Sequence, residues 1–124
     1  MTPVEAFRDQ HVAVFGLGGS GLSTVKALQE GGAHVAAWDD SEASREAARQ
    51  KNIALVDLSH ADFSQYRALI LAPGVPLTHP EPNWCVKRAQ SAGLPVIGDI
   101  ELFCIERQRR APESPFVAIT GTNG

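Results

Sequence analysis

The chain lacks the features that mark several classes of protein. Two cysteines in 124 residues are too few for a disulfide framework, and we expect both thiols to be reduced and buried. The 11 Lys and Arg side chains are outnumbered by 14 Asp and Glu, and a net charge of −3 does not suit nucleic-acid binding. No apolar run approaches the roughly 20 residues of a membrane span, and residues 1–10 hold no apolar signal segment. We therefore expect a cytoplasmic protein that binds neither nucleic acid nor a membrane.

Motifs for metal binding and acid–base chemistry are also scarce. The four histidines are scattered without metal-ligand spacing, so we expect no metal site. Glu101 and Glu106 have no evident acid–base partner, and Trp38 and Trp84 are most simply packing residues. What remains is an ordinary globular composition, 44% hydrophobic and 20% charged, in a length that suits one domain.

Short apolar segments alternate with helical periodicity along the chain. Such alternation predicts an α/β fold, a Rossmann-like doubly wound parallel sheet of about five strands with helices on both faces. We expect strands at 11–15, 33–38, 53–56, 68–72 and 95–97, with a last one at 116–119, and helices at 22–30, 41–50, 83–92 and 99–109. Residues 1–110 are then one domain, and residues 111–124 are a linker and the start of a second. Because the sequence stops inside a glycine loop, we expect a truncated chain.

The first motif is Gly16-x-Gly18-x-x-Gly21, between a predicted strand and a predicted helix. Glycines allow a tight turn and a close approach to a ligand, and the helix N-terminus offers N–H groups to an anion. Asp39 ends the second strand, where its carboxylate can accept from a ribose hydroxyl or another donor. A nucleotide ligand is favoured, with NAD as the generic expectation. A purely structural glycine turn stays open as an alternative.

Two further loops follow predicted strands. Pro73 and Gly74 come after the strand at 68–72, at the sheet edge where ligands bind in such folds. Residues 120–124, Thr-Gly-Thr-Asn-Gly, look like the front of a phosphate-binding loop, although Ile119 stands where the strict pattern has its first glycine. A plain turn remains the alternative for both loops.

Taken in order, four segments resemble the Mur ligase family. Residues 14–23 are similar to its opening loop, residues 72–75 with His79-Pro80 to its next loop, and residues 118–124 to the start of its ATP loop, which lacks the strict first glycine. Residues 98–103, Gly-Asp-Ile-Glu-Leu-Phe, resemble the D-glutamate-adding branch in particular. The resemblance extends from His11 to Gly124.

This resemblance implies a ligand other than NAD, namely the UDP end of UDP-N-acetylmuramoyl-L-alanine. It implies that Asp39 contacts the uracil, and that Asp40 lies beside it where the family can have a hydroxyl residue. Ser41 stands where some members have arginine. The remaining implied UDP-binding residues are Gly18, Gly19, Ser20 and Gly21 along the diphosphate, and Pro73 and Gly74 near the sugar and diphosphate.

The reaction implied for the whole enzyme is amide formation with D-glutamate, driven by ATP with Mg²⁺. Thr120, Gly121, Thr122, Asn123 and Gly124 would be the first part of its ATP-binding loop. The resemblance places no catalytic residue in this chain, so we expect the chain alone to be an inactive monomer without bound cofactor. The alternatives are an NAD-binding dehydrogenase domain, a nucleotide-sensing regulatory module and the alanine-adding Mur ligase.

Overall fold

The computed structural model of the protein describes residues 4–72 and 84–110. Within them, four parallel strands form one sheet in the order β2-β1-β3-β4. The strands are β1 (His11–Phe15), β2 (His34–Trp38), β3 (Leu69–Leu71) and β4 (Val96–Gly98). The chain adds β2 on one side of β1 and then β3 and β4 on the other side, which is the doubly wound arrangement predicted from the sequence.

The connections between strands are helical, as the periodicity predicted. The helices are α1 (Gly19–Glu30), α2 (Glu42–Gln50), α3 (Trp84–Ser91) and α4 (Asp99–Arg110), with a 3₁₀ turn at Phe63–Gln65. Ser41 caps α2 by accepting a hydrogen bond from the Ser44 N–H. Helix α1 begins three residues earlier than the sequence predicted, because residues 19–21 already have helical backbone after the N-cap at Gly18.

The predicted strand at 53–56 is wrong. This segment makes a single bridge, in which Leu55 pairs with Ala37 of β2. Ile53 is buried, Leu55 is half-buried, and Ala54 and Val56 are exposed, so the segment alternates as a strand does but pairs with β2 at Leu55 alone. The described sheet therefore has four strands rather than about five. The predicted strand at 116–119 lies outside the described residues, and the predicted domain boundary at 110 stays a prediction.

Side chains of alternate strand residues form two separate apolar layers. On one face, Val12, Val14, Ile70 and Ile97 pack in a layer that takes in α1, Ala48 of α2 and Leu102 of α4. On the other face, Ala13, Phe15, Leu69 and Leu71 pack in a layer that takes in α3 and the 3₁₀ turn. Because both faces of the sheet are covered, the strands are apolar throughout, as is typical of parallel sheets.

The first described residues are tied to α4 by a buried carboxylate. Glu106 is 3% exposed, and its Oε1 accepts the backbone N–H groups of Glu5 and Ala6 at 2.8 Å each.

The two cysteines differ in burial. Cys85 is buried in α3, whereas Cys104 in α4 is only half-buried, against the expectation that both would be buried. None of the helices in the described ranges is long and apolar enough to cross a membrane.

Candidate functional site

The turn after β1 is built on glycine because its backbone is crowded. Gly16 has a φ of 102°, in the left-handed region, and its N–H donates to the Trp38 carbonyl at 2.9 Å. A Cβ on Gly21 would lie 1.8 Å from the Gly16 carbonyl oxygen, so the first turn of α1 rests directly on the backbone of this turn. The first glycine of the motif is therefore required by its backbone conformation, and the third is required by packing.

The middle of the same turn is open. Gly18, Gly19 and Ser20 are exposed, and a Cβ on either of the two glycines would meet no atom within 4 Å. Gly18 is the N-cap of α1 and has no side chain that could accept a hydrogen bond. The first N–H groups of α1 therefore have no side-chain acceptor at the cap position. A 12-residue helix thus presents its positive end to open space, which suits an anionic ligand.

Asp39, at the end of β2, is fixed against this turn. Its Oδ2 accepts the Leu17 N–H at 2.7 Å and its Oδ1 accepts the Ser41 N–H at 2.7 Å. The Arg45 guanidinium donates to the Asp39 carbonyl at 2.8 Å and stacks 4.7 Å from the centre of the Trp38 ring. The half-buried carboxylate therefore holds the glycine turn and the start of α2 together, and each oxygen keeps a further lone pair for a ligand.

Asp40 is exposed and bonds to a tryptophan far along the chain. The Trp84 indole N–H lies 2.9 Å from Oδ2 and 3.1 Å from Oδ1 of Asp40. The Trp84 ring meets the Phe15 ring edge-on, with centres 5.5 Å apart and planes at 89°. Trp84 thus bridges the carboxyl ends of β1 and β2, a role that the sequence interpretation as a packing residue missed.

The strand order places these groups at one edge. The strand order switches sides at β1, with β2 on one side and β3 on the other, and in open parallel sheets ligands bind beyond the carboxyl ends at such a point. A Cβ on Gly21 would lie 3.5 Å from the Ala72 Cβ, so the segments that leave β1 and β3 meet there. Of the residues predicted from the sequence, Gly18 to Gly21, Asp39 and Asp40 lie together at this edge. Pro73, Gly74 and residues 120–124 lie outside the described residues.

Comparison with known sequences identifies the family to which this chain belongs. Residues 10–98 match the family described as Mur ligase MurD-like, N-terminal domain. The chain belongs to this family. Three curated relatives named UDP-N-acetylmuramoylalanine–D-glutamate ligase match all 124 residues, with 54% identity in Brucella abortus (strain 2308) and 56% in both Mesorhizobium japonicum and Agrobacterium fabrum.

This MurD-like domain spans about a quarter of its relatives, 26–27% of their length. Among solved structures, shikimate dehydrogenase from Aquifex aeolicus is similar in fold, with a TM-score of 0.57 and 16% identity over 78% of this chain and 45% of that one. At this identity the likeness shows the Rossmann-like fold alone.

Other features of the MurD-like domain lie away from the glycine turn. A cavity of about 400 Å³ is lined by the 3₁₀ turn and α3, and one of about 450 Å³ lies near the amino ends of β1 and β2. Burial raises the pKa of the Cys85 thiol to about 12, so this cysteine is unsuited to nucleophilic chemistry. Within residues 4–72 and 84–110, no group of three or more His, Cys, Asp and Glu side chains could hold a metal ion.

Proposed function

We propose that this domain binds the UDP end of UDP-N-acetylmuramoyl-L-alanine as part of an ATP-dependent ligase that adds D-glutamate. The family match and the names of the relatives support the reaction class. The observation that carries the binding role is the open amino end of α1 at Gly18 and Gly19. Backbone N–H groups there can bind a diphosphate without side chains, because the helix end supplies partial positive charge.

The two ends of the site differ in charge, which orients the ligand in this proposal. The diphosphate lies along Gly18 to Gly21, at the positive end of α1. The base lies near Asp39 and Asp40, because a carboxylate accepts a hydrogen bond from the uracil N3–H and repels phosphate. Pro73 and Gly74 complete the site near the sugar and diphosphate.

For the whole ligase we propose that the γ-phosphoryl group of ATP is transferred to the alanyl carboxylate of the substrate, with ADP as the leaving group. The amine of D-glutamate then attacks the acyl phosphate, which forms an amide and releases phosphate. Residues 120–124 begin the ATP loop, and Mg²⁺ neutralises the phosphate charge. We propose that this chain alone is a cytoplasmic monomer without ligase activity.

A parallel titration tests the binding role. The chain is titrated with UDP, UDP-N-acetylmuramoyl-L-alanine and NAD while its thermal unfolding is followed. A ligand at 100 times its Kd adds about 2.7 kcal/mol to the free energy of unfolding, which raises the Tm by several degrees. We expect stabilisation by both uridine ligands and none by NAD; stabilisation by NAD alone would favour a dehydrogenase-type domain.

A matched pair of variants locates the site. Gly19→Ala places a methyl group in the open space at the start of α1, whereas Lys26→Ala changes an exposed residue farther along the same helix. We expect Gly19→Ala to weaken UDP binding about tenfold, since overpacking costs about 1–3 kcal/mol. Lys26→Ala should bind as the wild type does. Equal affinity of both variants for UDP would show that the diphosphate does not bind at this end of the helix.

A further inference from the structure

Trp84 lies where the proposed base-binding end of the site is formed. Its indole N–H donates to both carboxylate oxygens of Asp40, the second residue after β2, and its ring contacts Phe15, the last residue of β1. Asp39, the neighbour of Asp40, is itself hydrogen-bonded to the glycine turn. The indole is therefore fixed beside the carboxyl ends of two adjacent strands, next to the carboxylate assigned to the uracil.

The bond between Trp84 and Asp40 has the chemistry of an orienting contact. The indole is half-buried and the carboxylate is exposed, so neither group needs the other to satisfy a polar atom removed from water. A hydrogen bond to a charged acceptor is stronger than one to a neutral acceptor. Here the single indole N–H is shared between both oxygens of the Asp40 carboxylate. Its effect is to hold a large, flat ring in one place.

The hydrogen bonds of the two adjacent carboxylates also support a role for the indole in binding the base. Asp39 and Asp40 are adjacent carboxylates close to a site proposed for an anion, and both accept N–H groups: Asp39 from Leu17 and Ser41, and Asp40 from Trp84. Asp39 keeps further lone pairs for a donor on the base, and Asp40 accepts the indole N–H. Beside these carboxylates, the indole offers an aromatic contact to a base and no charge to a phosphate.

We propose that Trp84 is a specificity-determining residue for the nucleotide base, and that Asp40 is the positioning residue that holds its indole. This inference rests on the proposed UDP-binding function and extends it to a residue outside the motifs. Asp40 then acts through Trp84. The ring supports the face of the base so that its N–H edge meets the Asp39 acceptor, which uracil matches with its N3–H and adenine does not match with its N1 acceptor. The Asp40 carboxylate fixes the position of the ring relative to Asp39.

The test is an NMR titration of the ¹⁵N-labelled chain with UDP and with ADP, which detects binding into the millimolar range. The indole N–H signals of Trp38 and Trp84 are distinguished by the loss of one of them in Trp84→Phe. We expect UDP to shift the Trp84 signal. Asp40→Ala and Trp84→Phe should each weaken UDP binding about three- to tenfold, the usual range for one net hydrogen bond. Both should also reduce the preference for UDP over ADP.

Two comparisons separate positioning from folding. Asp40→Asn keeps an acceptor oxygen for the indole and should restore most of the affinity, whereas Asp62→Ala removes an exposed carboxylate at the 3₁₀ turn and should change nothing in binding. The double variant of Asp40→Ala and Trp84→Phe should bind no worse than either single variant, because both remove the same contact. Thermal unfolding of each variant identifies any that fail to fold.

The outcomes are distinguishable. If the wild-type chain binds UDP but Asp40→Ala and Trp84→Phe bind it equally well, with unchanged base preference, the inference is wrong and the proposed function stands. If only one of the two variants loses affinity, Asp40 and Trp84 do not act as a pair, and the inference is again wrong. If the wild-type chain shows no UDP-dependent signal change, both the proposed function and the inference are wrong.

Discussion

The Asp39 carboxylate accepts the backbone N–H of Leu17 at 2.7 Å, across 22 positions of sequence. This contact joins the end of β2 to the turn between β1 and α1. Since the other carboxylate oxygen accepts the Ser41 N–H, a single side chain sets the positions of the glycine turn and of the start of α2. The geometry of the candidate site therefore depends on Asp39 before any ligand arrives.

Replacing Asp39 should destabilise the fold as well as the site. Asp39→Ala leaves two N–H groups without their acceptor, and we expect a loss of about 1–3 kcal/mol in the free energy of unfolding by urea. Asp39→Asn should lose less, because its amide oxygen still accepts one bond. Glu30→Ala, at an exposed carboxylate on α1, serves as the control and should stay within about 0.5 kcal/mol. Equal stability of Asp39→Ala and the wild type would contradict the structural role.

The glycines of the turn should differ sharply in their tolerance of alanine. Gly21→Ala brings a methyl group to 1.8 Å from the Gly16 oxygen, so the start of α1 must move, at a cost of at least about 2 kcal/mol. Gly19→Ala meets no atom within 4 Å and lies in a helix, where alanine is favoured by up to about 1 kcal/mol. Chemical unfolding of both variants checks this, and the reverse order of stability would disprove the packing described for the turn.

The Cys85 thiol should be unreactive in the folded protein. Its pKa of about 12, raised by burial, leaves about one molecule in ten thousand as thiolate at pH 8. In a Cys104→Ser background, we expect very slow reaction of Cys85 with a disulfide reagent at pH 8 and rapid reaction after addition of urea. The rate should rise with pH up to about 12, because the thiolate is the reacting form. Fast labelling without urea would show that α3 opens readily.

The elements that were predicted correctly are those whose signals lie in neighbouring residues of the sequence. Strand β1 and helices α1 to α4 carry local signals, such as the glycines after α1 and α3 and the Ser41 cap of α2, and the glycine motif lies between a strand and a helix as predicted. The strand predicted at 53–56 fails because pairing with β2 stops after Leu55, and strand length depends on neighbours that a local pattern does not contain.

The site was predictable in its residues but not in its contacts. Gly18, Gly19 and Asp39 stand at positions that motif and strand ends mark. Nothing local indicates that Trp84 reaches Asp40, because the two are 44 positions apart and meet only when the sheet brings α3 beside β2. The available signal was weaker: a tryptophan at the second residue of a predicted helix, after a loop assigned to the ligand edge.

Glu106 offers a further test of long-range packing. Glu106→Ala removes the acceptor for the Glu5 and Ala6 N–H groups, and we expect a loss of about 1–3 kcal/mol because the carboxylate is buried. Glu106→Gln keeps an acceptor oxygen and should lose less. Limited proteolysis should cut near residues 4–7 sooner in Glu106→Ala than in the wild type. Unchanged stability and cleavage would show that this contact is dispensable.

The position of β1 has a consequence for synthesis of the chain. It precedes the other described strands along the chain, yet in the sheet it lies between β2 and β3, and its Ala13 pairs with Leu69. On the ribosome, this apolar strand has no partner on the β3 side until residues up to 71 have emerged. The glycine turn that follows β1 thus completes its surroundings late, and during that interval the nascent strand is a target for chaperones and for aggregation.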